Sequence, residues 1–240
     1  MDPANRPASS AGPRWFLARL FAAIALVFAV YHGFILWQVW RLMDHNPRTT
    51  AFMQSGLERL RSRDPAARLQ YQWVPYDRIS EDLKRAVIAG EDQRFLDHKG
   101  FDVGAMEKAY EKNARRGRVR HGASTISQQL AKNLFLSPHR SYLRKANEAV
   151  ITMMIEHVLS KRRILEIYLN VIEWGSGIYG AEAAAQHYFG EPASDLDPWE
   201  AARLAAMIPS PRSYTNNLST PYLDERTGAL LALMEHARVP

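Results

Sequence analysis

The sequence predicts a mainly α protein, with one membrane-spanning helix at the N-terminus followed by a compact unit of short helices. Three observations carry this expectation. An uncharged apolar run extends from Leu20 to Trp40, helical periodicity recurs through most of the chain beyond Ser80, and the one short stretch with strand character is YQWV from Tyr71. With 240 residues, 47% of them hydrophobic, the chain can bury one sizeable core and is too short for two large ones.

Taken in order, MDPANRPASSAGPR is a polar Pro/Ser/Ala-rich tail, and residues 1–19 are read as cytoplasmic. The run 20–40 has the length of about 20 apolar residues that a spanning helix needs. His32 and Gln38 are its only strongly polar residues, and Trp15, Trp37 and Trp40 are placed as interfacial aromatics. Arg6, Arg14 and Arg19 outnumber Asp2 on the N-terminal side, which puts that end in the cytoplasm and the remainder of the protein outside it. A cleaved signal peptide is the rival reading, but its apolar core would be shorter. Residues 41–70, charged and carrying Pro47 and Pro65, read as a connector leaving the membrane, and residues 71–240 as the functional domain. Within that domain Ser80 can cap a helix whose first turn holds Glu81 and Asp82, as the helix dipole favours. Further helices are expected around Val103–Arg115, Thr125–Leu134, Tyr142–Leu159, Arg163–Val171, Gly180–Tyr188, Pro198–Met207 and Asp224–His236. The basic stretch KNARRGRVRHG between two of them reads as a loop.

A net charge of +6 and a pI near 9.6 favour anionic partners, whether nucleic acid, anionic lipid head groups or phosphorylated substrates. The extracytoplasmic placement disfavours nucleic acid. With no cysteine, the chain has no disulfides, thiolate zinc sites or cysteine nucleophiles.

The chemistry-bearing residues stand out against this helical background. In VIAGEDQRFLDHKGFD, Glu91 continues the apolar stripe of Leu83 and Val87 at four-residue steps. Either it turns to water at a fraying helix end, or it is held half-buried with a raised pKa for proton transfer. In GASTISQQLAKN, Thr125 and Gln128 have capping-box spacing and Gly122 lets the backbone turn in. Capping leaves Gln129, Lys132 and Asn133 unexplained; a helix N-terminus with a lysine a turn or two on would suit a phosphate. The segment SYLRKANEAVITMMIEHVLS is apolar almost all round and reads as a central buried helix, yet Arg144, Glu148, Thr152 and Glu156 form a stripe at steps of four. An exposed Arg144–Glu148 pair would contribute only a few tenths of a kcal/mol, so the stripe is read as a ligand-facing wall. Two carboxylates, Glu91 and Glu148, with Lys132, Arg140, Arg144 and Lys145 as neighbouring cations, fit a glycosyl transfer that expels a phosphate. The stretch from Glu91 to His98 lacks HExxH spacing, there is no Gly-rich nucleotide loop, and GSGIYG follows a helix rather than a strand.

These motifs resemble the glycosyltransferase family 51 domain of bacterial peptidoglycan polymerases, in its monofunctional form. The matching stretches are EDQRFLDHKG, GASTISQQLAKN, RKANEAVITMMIE, KRRILEIYLNVIEWGSGIYG and EAARLAAMIPSPRSY, in the family's order from roughly Gln72 onward. The chain ends at Pro240, and no transpeptidase domain is expected. The resemblance implies a lysozyme-like fold with a large lobe, a small membrane-proximal jaw and an extended cleft between them. It implies lipid II and the growing glycan strand as substrates, Glu91 as general base, and Glu148 as the second essential glutamate near the pyrophosphate. Lys132 and Arg140 match donor-site cations; Ser124, Thr125, Gln128, Gln129, Asn133, Arg144 and Lys145 match residues lining that site. Asp92, Phe95, His98 and Gly100 complete the first motif as its scaffold.

No cofactor is required by the sequence, and there is no dedicated metal motif; the resemblance admits a divalent cation, Mg or Mn, at the pyrophosphate. It places the chain in the inner membrane with its catalytic domain in the periplasm, touching membrane lipids through KAYEKNARRGRVR and the segment before Ser80. It also makes the chain a moenomycin target and admits other cell-wall synthases or divisome proteins as partners. Two rivals stand beside it: a lytic enzyme of the same general fold, and a non-catalytic membrane-anchored scaffold.

Overall fold

The computed structural model describes residues 12–116, 124–139 and 141–240. The polar tail up to Ala11, the loop 117–123 with Gly122, and Arg140 lie outside the described residues. Helix α1 (Gly12–Arg41) leads, and the most apolar 18-residue window within Trp15–Arg41 has a mean hydropathy of 2.1. Then follow α2 (Ala51–Arg61), strand β1 (Gln70–Tyr71), a 3₁₀ turn at Tyr76–Arg78, α3 (Glu81–Glu91), α4 (Val103–Arg116), α5 (Ile126–Phe135), α6 (Tyr142–Val158) and α7 (Lys161–Val171). The chain continues through strands β2 (Glu173–Gly175) and β3 (Ile178–Tyr179), then α8 (Ala181–Tyr188), α9 (Pro198–Met207), the short α10 (Pro211–Tyr214) and α11 (Pro221–Met234).

The expected helices form, for the local reasons anticipated. Ser80 accepts from Asp82 N, and Thr125 and Gln128 complete the capping box of α5. A second capping box, Asp197 with Glu200, opens α9. There the small side chains of Ala201, Ala202, Ala205 and Ala206 are buried and allow α9 to pack closely on both α3 and α11. On the other side of the molecule α5 packs against α2, α6 and α7. The core helix is α7, with Ile164, Leu165, Ile167, Tyr168, Leu169, Asn170 and Val171 all buried. Asn170 stays satisfied there because its amide pairs both ways with the backbone of Val74, at 2.8 and 2.9 Å.

Four expectations change. GSGIYG does not merely follow a helix: its Gly175 ends β2 and its Ile178 and Tyr179 form β3, the middle strand of a small sheet of order β1-β3-β2, with β1 parallel and β2 antiparallel to β3. The connector contains α2, which buries Met53 and Gly56 and packs on α5, so this segment is built into the domain rather than standing off as a stalk. Helix α6 is not central. Tyr142 and Leu143 are 97% and 85% exposed, and α6 packs against α1 as well as against α5 and α7. On the α1 side the anchor is held by a polar clamp: His32 Nε2 lies 2.9 Å from Asn147 Oδ1, and Asn147 Nδ2 donates to the Tyr31 hydroxyl at 2.9 Å. Finally, the segment before Ser80 is packed inward, with Tyr76 buried and stacked under Lys84 and Arg162. The exposed apolar side chains of this region belong to α4: Val103, Met106 and Tyr110.

Candidate active site

Glu91 is the last residue of α3, where Leu83 and Val87 beneath it are fully buried. The carboxylate is 11% exposed, so the half-buried alternative is the one realised. Burial pushes its pKa above the usual carboxylate range; a hydrogen bond from Gln129 and the nearby Arg226 and Lys132 pull the other way. Its two oxygens differ. Oε2 accepts from Gln129 Nε2 at 2.7 Å, whereas among the described residues Oε1 has only Arg226 Nη2 at 3.9 Å. The Gln129 amide is itself oriented, because the Tyr168 hydroxyl donates to its Oε1 at 2.9 Å and so turns Nε2 toward Glu91. Tyr168 is fully buried, and burial raises its pKa well above the usual phenol value, which keeps it a neutral donor.

The rest of the first motif ties α3 to α5. Asp92 Oδ2 accepts from Ile126 N at 3.0 Å and its Oδ1 meets His98 Nε2 at 2.8 Å. Gly100 N donates to His98 Nδ1 at 3.1 Å, so the proton of a neutral imidazole sits on Nε2 and points at Asp92. Phe95 is fully buried beside His98. Gly100 has φ +91°, and a Cβ there would approach Thr152 Cγ2 to 2.9 Å; its carbonyl accepts from Thr125 Oγ1 at 2.7 Å. These four residues hold the cleft together.

One expectation for α5 fails. The amides of Thr125, Ile126 and Gln128 are taken by Gln128 Oε1, Asp92 and Thr125 Oγ1, so these three are bound internally rather than offered to a phosphate. The cationic wall lies a turn further on, in a cavity of about 630 Å³ lined by Ser124, Gln128, Gln129, Lys132, Asn133, Arg144, Lys145 and Glu148. Glu148 is buried, with Arg144 Nη1 at 2.9 Å on one oxygen and Lys145 Nζ on the other. Lys145 also reaches Ser124 Oγ at 3.4 Å. Burial holds the Lys132 ammonium below the usual lysine range, with Glu148 opposing that shift and Arg144 and Lys145 adding to it. Asn133 is anchored by donating to the Gln129 carbonyl at 2.8 Å. The α6 stripe divides at this point. Arg144 and Glu148 face the cavity, while Thr152 is fully buried and Glu156 pairs with Ser127 and, at 2.7 Å, with Lys161.

A second cavity, about 360 Å³, opens on the other side of Ser124 and Thr125 and is lined by Glu91, Asp92, Arg94, Asp102, Lys108 and Lys112 among others. Ser124 lines both, and Gln129 joins the larger cavity to Glu91. The two spaces are therefore halves of one cleft, with Glu91 in one and Glu148 in the other. Among the described residues no group of three His, Asp or Glu side chains is placed to hold a metal ion. In the larger cavity both carboxylates are already committed, Glu148 to Arg144 and Lys145, Glu173 to Arg59 and Arg212. These residues do not form a protein site for the divalent cation that the sequence resemblance admits.

Sequence reading missed Tyr168 and Arg226 beside Glu91, and the wall built by Glu173 with Arg212. Tyr168 sits inside an apolar run and looks like plain core; only the polar Asn170 nearby hints at a buried network. Arg226 comes from α11, remote in sequence, and nothing local marks it.

Comparison with known proteins agrees with this geometry. The Transglycosylase family model matches residues 58–235. A biosynthetic peptidoglycan transglycosylase of Azoarcus sp. (strain BH72) is 54% identical over 233 residues, covering 95% of this chain and 97% of its own length. A protein of the same name from Nitrosospira multiformis is 54% identical over 227 residues, covering 95% and 98%, and one from Thiobacillus denitrificans is 53% identical over 227 residues, covering 95% and 97%. The matched span takes in every motif of the cleft, from Glu91 to the wall at Arg212, and on this match the chain belongs to the transglycosylase family.

Proposed function

We infer that the protein is a peptidoglycan glycosyltransferase that polymerises lipid II into glycan strands. The observation that carries this reading is one cleft holding an insulated carboxylate, Glu91, and, across Gln129, a cavity walled by Lys132, Arg144 and Lys145 around Glu148. A neutral glycosidic link, as a lytic enzyme would cleave, has no need of three cations at its leaving group; a pyrophosphate does.

In this mechanism the acceptor's N-acetylglucosamine lies on the Glu91 side. Its 4-hydroxyl gives its proton to Oε1, the carboxylate oxygen that Gln129 leaves open. The hydroxyl oxygen forms a bond to the anomeric carbon of the donor's N-acetylmuramic acid as the bond to the pyrophosphate oxygen breaks. The electron pair leaves with undecaprenyl pyrophosphate and the carbon inverts. Lys132, with Arg144 and Lys145, offsets the charge of the departing group, while Glu148 holds the last two side chains in place. Incubation with lipid II and, separately, with finished glycan tests this reading. Polymer from the first supports it, and shortened strands from the second would replace it with lysis.

Tyr168 acts on the base through Gln129. Tyr168→Phe frees the amide to rotate and weakens the hydrogen bond that lowers the Glu91 pKa, so that pKa moves further up. The acid limb of the pH–rate profile is then expected at higher pH than in wild type, with donor KM little changed; an unshifted limb would remove Tyr168 from the mechanism.

In our reading α1 anchors the enzyme in the cytoplasmic membrane with the cleft on the periplasmic side, and moenomycin competes at the donor cavity. Holding enzyme and lipid II in one surface raises their effective concentration. Removing residues 1–41 is expected to slow polymerisation in vesicles more than in detergent. It should also lower the unfolding temperature, because Ile35 and Val39 are buried against the domain and Asn147 loses its partners. Equal vesicle rates and equal unfolding temperatures would reduce α1 to a tether.

A further inference from the structure

Where α1 ends, the chain folds back to form a cavity that the catalytic cleft does not use. It measures about 530 Å³ and is lined by Gln38, Arg41, His45, Asn46, Arg48 and Phe135, among others. Asp44 is its one lining carboxylate. Among the described residues no carboxylate lies within 4.0 Å of Arg41 or Arg48; the Arg41 guanidinium sits instead over the Trp37 ring, 5.2 Å from its centroid. Two cations thus face an open space with their hydrogen-bond donors unspent.

The turn carrying them is held from behind. Arg163 Nε donates to the Leu42 carbonyl at 2.7 Å, and its Nη2 donates to the carbonyl of His45 at 3.1 Å and to Asn46 Oδ1 at 2.8 Å. Arg163 is itself fixed by Glu166 at 2.6 Å, and the Tyr71 hydroxyl donates to the Pro47 carbonyl at 2.8 Å. A turn whose backbone is fastened on its inner side presents its basic side chains in a set arrangement, unlike a solvated charged loop.

Its position relative to the bilayer follows from α1. Trp37 and Trp40 are 48% and 59% exposed on the last turns of the helix, where interfacial aromatics mark the edge of the hydrocarbon. Gln38 to Arg41 spans only about 4.5 Å along a helix axis, within the head-group layer of about 5–7 Å on each side of a bilayer. The cavity therefore opens at the depth of lipid phosphates, with Leu42, Leu134 and Phe135 as apolar wall beside the acyl region.

We propose that this cavity is a binding site for the head group of an anionic phospholipid, its phosphate between Arg41 and Arg48 and its acyl chains along the outer turns of α1. The site is independent of the glycosyltransferase reading. The test uses the full-length protein in neutral detergent, with phosphatidylglycerol, phosphatidylcholine or inorganic phosphate added at equal concentration. Bound lipid is counted by native mass spectrometry, and thermal unfolding is followed in parallel. Arg41→Gln/Arg48→Gln removes the site, while Arg63→Gln/Arg68→Gln removes the same charge from exposed positions outside it. The single variant Arg48→Gln, remote from α1 packing, guards against a folding defect in the pair. Phosphatidylglycerol is expected to be retained as one molecule and to raise the unfolding temperature. Apparent affinity should fall about tenfold or more in both site variants and hold in the control pair. Equal loss in the control pair would reduce the effect to net charge. An equal shift from inorganic phosphate would make this a free-anion site, and an equal shift from phosphatidylcholine would remove the anionic preference; each overturns the proposal.

Discussion

Glu91→Gln is expected to lose polymerisation by about 10²–10⁴-fold, the usual contribution of a positioned base, while its unfolding temperature stays level or rises. The amide keeps the shape of the carboxylate, and its oxygen can still accept from Gln129, so the cleft is preserved. What disappears is the ability to take the acceptor's proton. The stability half of the prediction follows from the direction of the pKa shift. A carboxyl whose folded pKa is raised binds its proton more tightly in the native state, so its ionisation costs stability as pH rises from the unfolded pKa through the folded one. The neutral amide avoids that cost at neutral pH and gains nothing in acid, where Glu91 is already protonated. Thermal unfolding of both proteins across the acid-to-neutral range, alongside lipid II turnover, checks both halves. Wild-type turnover by the variant would take Glu91 out of the mechanism.

Glu91 was legible in the sequence because a carboxylate on the stripe of Leu83 and Val87 breaks a pattern, and a break in a pattern is visible without coordinates. The second motif was half legible. Thr125–Gln128 spacing foretold the cap, but the amide of Ile126 is taken by Asp92, a tertiary partner that the motif itself does not reveal. The α6 helix misled for a physical reason: apolar periodicity reports what a face avoids, which is water, and cannot tell a protein core from a neighbouring membrane helix. Tyr168 and Arg226 reach Glu91 by tertiary packing alone, from α7 and α11, and leave no local signal. Strands β2 and β3, of three and two residues, are too short to show an alternating pattern at all.

Lys132→Ala is expected to raise the donor KM and to lower donor-side turnover by about 10²–10³-fold, as removal of one charge-stabilising donor does elsewhere, with acceptor use much less affected. Burial holds the Lys132 pKa below the usual lysine range. Its charge therefore begins to fail at lower pH than an exposed lysine's would, and donor binding should weaken on the alkaline side of the rate profile. Lys132→Arg, which cannot lose its charge in this range, should move that limb upward even if geometry lowers the maximum. Glu148 couples to the same limb. It is the main influence holding the Lys132 proton on, while Arg144 and Lys145 push it off. In Glu148→Gln those two cations lose their common anion, the Lys132 pKa drops further, and the alkaline limb should shift to lower pH along with the fall in turnover. Lys132→Ala thus removes this limb, Lys132→Arg raises it and Glu148→Gln lowers it. Normal polymerisation by Lys132→Ala at low donor concentration, or an alkaline limb unmoved in Glu148→Gln, would mean that the pyrophosphate is not held in this cavity.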